Sequence, residues 1–389
     1  MNEGTTVFTQ VMQTIHRQEF QRCVSRYDGD YRVHSFSCRD QFLAMSFAQM
    51  TFRESLRDIE ACLDARPDQL YRLGFRSRVA RSTLAEANEK RDWRIYADLA
   101  HRLIPRARAL YQDESLDVDL DETVYAFDAS TIDLSLSVFP WAWAQQNKSA
   151  VKLNTLLDLR GSIPTFLRIT AGRTHDVLTL DDLPIEAGAF YIMDRGYQDF
   201  GRLHRLQRQA AYFVVRAKGN LNFTRHQSNP KLGEEGIRSD QLGKLTRAQS
   251  RKKYPDRLRR IHFFDRESSQ DLVFLTNHLE LPASTVARLY KLRWRVELFF
   301  KWIKQHLRIK AFYGTSFNAV RTQIWIALCV YLQVAILKKQ LNLAQSLHTI
   351  LQVLSVSVFE KVPIYQLFTD SPSQASEGHS DNQLKLWDL

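Results

Sequence analysis

The chain has 389 residues, 44% hydrophobic and 11% aromatic, which suits two or three packed units and excludes a globally disordered protein. Its formal net charge of +11 favours a polyanionic partner over a small neutral ligand. Four cysteines without a close CxxC pair argue against a zinc knuckle or a disulfide framework, and they indicate a reducing, cytoplasmic location.

Positive charge is concentrated in one part of the chain. Residues 201–260 contain sixteen Lys or Arg residues and four acidic residues, so this segment accounts for the whole excess. The composition predicts a surface that follows the backbone of a nucleic acid, although a solvated charged face would have the same composition.

Residues 1–115 show a helical pattern interrupted by turns, with no convincing strand. We expect helices at residues 39–49 and 52–65, a short helix capped by Ser82, and a further helix that ends at Pro105. Short helices joined by tight turns, with arginines outside, are typical of a helix-turn-helix-like DNA-binding domain. A helical domain that only packs against the core is the alternative.

An acidic linker at residues 113–122 marks a change to strands. Short apolar runs predict five strands, at residues 123–127, 151–159, 164–170, 189–193 and 211–216. The second and third form a hairpin around the turn at Arg160 and Gly161. Asp128 directly follows the first strand, and Asp194 directly follows the fourth.

Residues 220–282 do not continue this alternation and are predicted to form a basic, β-rich insertion, with strands at 260–264 and 271–275. A long helix that starts at Pro282 then carries the segment YKLRWRVELFFKWIK. The apolar run in the following helix is interrupted by Gln333 and is too short to span a bilayer, so we expect it to be buried. The predicted units are a helical N-terminal domain, an α/β core and a C-terminal helix with a tail, at residues 1–115, 120–345 and 346–389.

The segment at residues 290–304 has an unusual polar ridge. Wound as a helix at about 100° per residue, it places Tyr290, Arg293, Glu297 and Lys304 within an arc of roughly 60°. Core packing does not require a carboxylate between two cations and a phenol, whereas a site that binds a metal ion and a phosphate does. An exposed face with local ion pairs is the alternative.

Three acidic residues can converge: Asp128 and Asp194 after strands, and Glu297 on the helix. Neighbouring strands bring their ends together however far apart they are in the sequence. Convergent carboxylates repel one another unless divalent cations neutralise them, and oxygen ligands favour Mg²⁺ or Mn²⁺ over Zn²⁺. Turn chemistry is the alternative for either aspartate alone. Three other acids compete with Asp128 as the first ligand: Asp119, Asp121 and Asp133.

Four segments of the sequence carry recognisable motifs. They are FDAST around Asp128, IMDRGY around Asp194, VVRAK at residues 214–218, and the segment 290–304. The last has tyrosine, arginine, glutamate and lysine separated by two, three and six residues. Together these motifs resemble those of DDE transposases of bacterial insertion sequences of the IS-four type. The likeness covers most of the chain and leaves only the C-terminal residues unmatched.

The resemblance implies an α/β fold: an RNase H-like mixed-sheet core with a β-rich insertion, preceded by an all-α N-terminal domain. It also implies a transposase that binds terminal inverted repeats and performs Mg²⁺- or Mn²⁺-dependent strand cleavage and strand transfer. Two ions per active site, about 3.5–4 Å apart, would be held by the triad of acids: Asp128, Asp194 and Glu297. The residues implied to contact DNA are Tyr290, Arg293, Lys304, Arg195, Arg216 and Lys218.

The resemblance also implies roles for side chains near the triad. Arg293 and Lys304 would hold phosphates near the transposon end, and Tyr290 would support the terminal phosphate or a displaced base. Some relatives form a DNA hairpin with a flipped base, on which Trp294 or Tyr254 could stack.

The implied partner is double-stranded DNA, at the transposon ends and at the target. Because two ends must be joined in one complex, we expect a homodimer on DNA, in the cytoplasm at the bacterial nucleoid. Two other functions remain open: a catalytically inactive, transposase-derived DNA-binding protein, and an RNase H-like structure-specific nuclease. Short inverted repeats in the flanking DNA would favour the transposase.

Overall fold

The computed structural model describes residues 4–145, 148–230, 235–306 and 312–369. Seven helices precede the first strand: α1 (Val7–Met12), α2 (Arg17–Arg26), α3 (Cys38–Met50), α4 (Leu56–Asp64), α5 (Pro67–Leu70), α6 (Arg81–Lys90) and α7 (Arg94–Tyr111). The strands are β1 (Val124–Leu134), β2 (Trp143–Gln145), β3 (Lys148–Asp158), β4 (Ile163–Ala171), β5 (Phe190–Met193), β6 (Tyr212–Arg216), β7 (Phe223–Ser228), β8 (Ile237–Leu245), β9 (Leu258–Asp265) and β10 (Gln270–Thr276). The later helices are α8 (Phe200–Arg208), α9 (Ala248–Lys253), α10 (Ala283–Leu292), α11 (Trp294–His306), α12 (Phe317–Gln340), α13 (Leu347–Ser357) and α14 (Gln366–Thr369).

The N-terminal part is helical, as the sequence predicts. Helices α3 and α4 start with capping boxes, in which Ser37 and Ser55 each exchange hydrogen bonds with an aspartate. The predicted cap at Ser82 is wrong, because α6 begins one residue earlier and its N-cap makes no side-chain hydrogen bond. Pro105 does not end α7, which continues to Tyr111. Packing of the apolar face of α7 along α12 offsets the one backbone hydrogen bond that the proline removes.

Five strands form a mixed sheet in the order β4-β3-β1-β5-β6. Strands β1, β3 and β4 are antiparallel neighbours, whereas β5 and β6 run parallel to β1. Three antiparallel strands followed by two parallel ones is the RNase H-like arrangement, so the predicted α/β fold class is confirmed. The predicted hairpin turn lies between β3 and β4, where Gly161 has a φ of 75°.

The first strand is longer than the sequence predicts. Strand β1 continues to Leu134, so Asp128 lies inside the strand, and its predicted place after the strand end is wrong. The register gives the reason: pairing with β5 stops at Phe127 and Met193, but pairing with β3 continues through Asp128 and Thr155. Asp128 is therefore held by β3 on one side and unpaired on the side where β5 has ended.

The basic insertion extends the core sheet. Strand β10 pairs antiparallel to β6, and β9, β8 and β7 follow in that order. The two predicted insertion strands correspond to β9 and β10. Buried Arg259 and Asp240 form an ion pair at 2.7 Å between β9 and β8, and Arg259 also donates to the carbonyl of Leu281 just before α10. These contacts tie the insertion to the helices that follow it.

The predicted long helix is two helices, α10 and α11, which meet at Arg293. The Arg293 N–H donates to the carbonyl of Tyr290, and the Val296 N–H donates to the carbonyl of Arg293, so both bonds span three residues instead of four. The prediction of one continuous helix is therefore wrong at this position. The junction puts Arg293 between the helix that carries Tyr290 and the helix that carries Glu297.

Apolar residues cover both faces of the sheet. One face shares a large core with the N-terminal helices and with α10 to α13, and the other packs against α8. By length and composition α12 could cross a membrane, but 94% of its most apolar window is buried inside the protein, so it is the buried helix that the sequence predicts. The predicted C-terminal helix corresponds to α13, and the predicted tail from residue 370 onward lies outside the described residues.

Candidate active site

The sheet register brings two of the predicted acids side by side. Phe127 and Met193 form the last pair between the parallel strands β1 and β5. The next residue on each strand, Asp128 and Asp194, therefore lies at the same end of the strand pair. Burial raises the pKa of Asp128, and the negative charges of Glu297 and Asp194 act in the same direction. Asp128 and Asp194 thus lie at the ends of neighbouring strands, and Glu297 faces Asp128 across the Arg293 guanidinium.

Arg293 connects two of these acids. Its Nη1 donates to Asp128 Oδ2 at 2.9 Å, and its Nη2 donates to Glu297 Oε1 at 2.5 Å. Burial acts to lower the pKa of Arg293, but Tyr290 and the two carboxylates outweigh it, so this pKa is raised. Only 15% of the Arg293 side chain is exposed, so its positive charge lies largely buried between two carboxylates.

Tyr290 binds the third acid. Its hydroxyl donates to Asp194 Oδ1 at 2.9 Å, and its ring centre lies 4.7 Å from that of Phe274 on β10. Burial and the charge of Asp194 raise the pKa of Tyr290 to about 12, so the phenol stays neutral at physiological pH. The Arg293 guanidinium lies 5.7 Å from the centre of the Tyr290 ring. This contact links the residue that binds Asp194 to the residue that binds the other two acids.

The other residues predicted to contact DNA lie around this group. The Lys304 Nζ donates to a backbone carbonyl of β1 at 2.6 Å. Arg216 ends β6, and its charge is close enough to Tyr290 to oppose the rise in the pKa of that phenol. Arg195 and Lys218 are exposed and follow β5 and β6, two parallel neighbours, so they emerge at the same edge of the sheet.

The donor chemistry of the three acids fits divalent cations. Carboxylates supply the oxygen ligands that Mg²⁺ and Mn²⁺ prefer, and the side chains of Asp128 and Glu297 keep 21% and 34% of their surface exposed. Among the residues that the structure describes, no three acidic, histidine or cysteine side chains are close enough to hold an ion together. Arg293 binds the two acids that an ion would have to join.

Two residues beside Asp128 are not identified as site residues by the sequence analysis. Tyr197, the last residue of the IMDRGY motif, is 4% exposed, and its hydroxyl lies 3.5 Å from Asp128 Oδ1. Thr155 pairs with Asp128 across β1 and β3 and is fully buried, and among the described residues its hydroxyl has no hydrogen-bond partner. The motif offers a signal for Tyr197, whereas Thr155 can be found only once the strand register is known.

The two aromatic residues predicted to stack on a displaced base differ in their exposure to solvent. Trp294 begins α11 and is 51% exposed, so it can contact a ligand. Tyr254 is completely buried, its ring packs edge-on against Phe213, and its hydroxyl contacts Gln207. Stacking by Tyr254 is therefore wrong, because its side chain belongs to the core.

The basic segment at residues 201–260 contains two kinds of cation. Some are neutralised by acids within the chain: Arg202, Arg205, Arg238 and Arg259. Others are exposed on β7, on α9 and beside α9: Arg225, Arg247, Arg251, Lys252, Lys253 and Arg257. The exposed set can contribute more of its charge to a polyanion than the set that is paired with acids.

Comparison with known proteins identifies related chains. A family model described as a transposase DDE domain matches residues 119–333, more than half of the chain. A second model, described as a domain of unknown function, matches residues 3–76. The chain is 34% identical over 195 residues to a putative transposase of Sinorhizobium fredii, covering 49% of this chain and 54% of that protein. It is 30% identical over 225 residues to a probable transposase for an insertion sequence element of Geobacillus stearothermophilus, covering 56% and 59%.

The chain thus spans little more than half the length of these two relatives. A putative transposase for an insertion sequence element of Synechocystis is 24% identical over 268 residues, covering 64% of this chain and 70% of that protein. Among solved structures, a piggyBac transposase synaptic complex with hairpin DNA aligns over 94% of this chain and 80% of that chain, at a TM-score of 0.45 and 10% identity, a likeness too weak to bear on function. The first family model spans all three acids, and the chain belongs to the transposase DDE domain family.

Proposed function

We propose that this chain is a DNA transposase that binds the terminal inverted repeats of its own insertion sequence and catalyses strand cleavage and strand transfer. The observation that supports this most is that Asp128 and Asp194 directly follow the last pair of β1 and β5, while Arg293 bonds both Asp128 and Glu297. Arg293 and Tyr290 bind these carboxylates and add groups that suit a phosphate.

The three carboxylates are proposed to hold two Mg²⁺ or Mn²⁺ ions, in keeping with the general use of divalent metal ions in this family. Such ions, when bound, activate the attacking oxygen and stabilise the leaving oxygen of a phosphodiester. Arg293 would then exchange its carboxylate partners for a DNA phosphate beside Lys304. Tyr290 would keep Asp194 oriented through the hydrogen bond it already makes.

Binding to DNA is proposed to divide between two parts of the chain. The exposed cations of β7 and α9, with Arg195, Arg216 and Lys218, would follow the phosphate backbone and give salt-sensitive affinity. Phosphate contacts position DNA without reading its sequence, so recognition of the repeat is assigned to the N-terminal helices. Joining two ends in one complex calls for a homodimer, acting in the cytoplasm at the nucleoid.

Glu297→Gln tests the proposed chemistry. The change keeps the size of the side chain and removes one negative charge from the cluster. We expect nearly unchanged binding to a terminal-repeat duplex, because the DNA surface is intact. Loss of an outer partner of a metal ligand costs up to about 100-fold. Because Glu297 is proposed as a ligand itself, Mg²⁺-dependent nicking should fall by more than that.

Glu267→Gln is the matched control, because this glutamate is exposed and its carboxylate forms an ion pair with Lys291 at the surface. It should nick and transfer strands at the wild-type rate. A Glu297→Gln protein that nicks as fast as wild type would refute the assignment. Strand-transfer products from wild type would separate a transposase from a nuclease that cuts junctions or hybrids without repeat ends.

A further inference from the structure

We infer that Tyr197 is a positioning residue that fixes the orientation of the Asp128 carboxylate, an inference that rests on the proposed function. Tyr197 ends the short 3-10 turn that follows β5. Its ring packs edge-on against Phe127 with 5.0 Å between the ring centres, and it is almost completely buried. Because Phe127 immediately precedes Asp128, the phenol is held in place by the same strand that carries the carboxylate.

The two oxygens of Asp128 have different partners. Oδ1 accepts from the backbone N–H of Ala129 at 2.8 Å and from the Tyr197 hydroxyl at 3.5 Å. Oδ2 accepts from Arg293 at 2.9 Å and therefore faces α11, which carries Glu297. The terminal torsion of an aspartate is broad, so if Arg293 exchanged Asp128 for a phosphate, the Ala129 N–H alone would leave the carboxylate free to turn. A second donor on Oδ1 keeps Oδ2 directed toward Glu297.

The neighbouring acids explain why the Tyr197 hydroxyl serves Asp128. The hydroxyl lies in the field of three carboxylates, those of Asp128, Asp176 and Asp194. Asp176 is paired with Lys152 at 3.1 Å, and Asp194 accepts from another tyrosine on α10. Asp176 thus has a counter-ion, and Asp194 has a phenol as its donor. Asp128 Oδ1 is the acceptor within hydrogen-bond distance of the Tyr197 hydroxyl.

A phenol suits this position because it is neutral. Arg293 also binds Asp128, but its charge competes with any cation for the carboxylate. The Tyr197 hydroxyl orients the same group without adding charge, so it can stay in place when an ion binds. We therefore expect Tyr197 to strengthen metal binding, as outer partners of metal ligands do.

Tyr197→Phe removes the hydroxyl and keeps the ring against Phe127. Mn²⁺ binding is measured by electron paramagnetic resonance on the protein bound to a duplex that carries its terminal inverted repeat. We expect about tenfold weaker Mn²⁺ binding than in wild type. Nicking should be slow at low Mn²⁺ and recover at high Mn²⁺, whereas Glu297→Gln should not recover. The thermal midpoint and the affinity for the duplex should not change.

Tyr191→Phe is the matched control, because Tyr191 is buried in the same apolar cluster but its hydroxyl contacts the carbonyl of Pro184. Its Mn²⁺ affinity should equal that of wild type. Wild-type Mn²⁺ affinity in Tyr197→Phe overturns the role of Tyr197. If Tyr197→Phe does not fold, Phe127→Leu, which loosens the ring, must weaken Mn²⁺ binding or the role is equally overturned. No Mn²⁺ binding by wild type would refute the proposed function itself.

Discussion

Arg293 bonds two carboxylates in the structure and is proposed to bind a phosphate. The resemblance implies a contact with phosphate, whereas in the structure the guanidinium binds Asp128 and Glu297. It thereby offsets part of the repulsion that helps to raise the pKa of Asp128. If Asp128 and Glu297 bind a divalent cation as proposed, Arg293 and that cation would compete for the same oxygens. Metal binding should therefore be weak until a DNA phosphate draws the guanidinium away.

Arg293→Gln tests this competition. Without the guanidinium, Asp128 and Glu297 lose their counter-charge, and a cation gains by replacing it. We expect Mn²⁺ to bind the DNA-free variant about tenfold more tightly than wild type, equivalent to ~1.4 kcal/mol. Isothermal titration calorimetry measures both affinities.

Arg295→Gln is the control for that measurement, because Arg295 lies near Arg293 at the start of α11 but bonds Asp117 and the carbonyl of Leu159. Its Mn²⁺ affinity should match that of wild type. Equal affinities in wild type and Arg293→Gln would mean that the guanidinium does not compete with metal.

The sequence predicts the chemical role of some site residues but not the contacts that their side chains make. The motifs around Asp128, Asp194 and Glu297 indicate chemistry because residue types and spacings are visible in the sequence. The partner of each carboxylate oxygen is not visible, since it depends on side-chain packing between distant elements. Thr155, for example, lies beside Asp128 only through the strand register.

Among the elements, order and type are predicted better than their limits. The five core strands and the insertion strands β9 and β10 lie where short strand-like runs in the sequence indicate them. The end of β1 is not predicted, because pairing with β3 continues through polar residues that look like a turn in the sequence. The break at Arg293 is not predicted either, because the helical period is the same on both sides of it.

The turn between β3 and β4 depends on Gly161. This glycine has a φ of 75°, and an added Cβ would lie 2.1 Å from Tyr111 Cδ1. The Tyr111 ring cannot move away easily, because it is buried and its hydroxyl donates to the carbonyl of Ala335 on α12. We expect Gly161→Ala to lower the free energy of unfolding by about 2–5 kcal/mol, from backbone strain and overpacking together. Urea denaturation measures the loss.

Gly188→Ala separates these two causes. Gly188 has a φ of 80°, but an added Cβ would meet nothing within 4 Å. Backbone strain alone should cost roughly 1–2 kcal/mol. Equal losses for Gly161→Ala and Gly188→Ala would show that contact with Tyr111 contributes nothing.

At the scale of the whole molecule, the cluster of acids depends on the packing of three distant segments. Asp128 lies on β1, Asp194 follows β5, and Glu297 lies on α11 beyond the entire insertion. The buried helix α12 joins these segments to the N-terminal helices through one shared apolar core. The N-terminal helices and the sheet share this core, so the core gives no boundary between them. The predicted domain limits therefore remain a prediction.

The most direct test of the metal cluster is anomalous diffraction from crystals of the chain bound to a terminal-repeat duplex in Mn²⁺. We predict two Mn²⁺ peaks roughly 3.5–4 Å apart, bound by oxygens of Asp128, Asp194 and Glu297. Arg293 should then contact a DNA phosphate instead of the two carboxylates. Peaks at other residues, or no peak while Arg293 still bridges Asp128 and Glu297, would contradict the account.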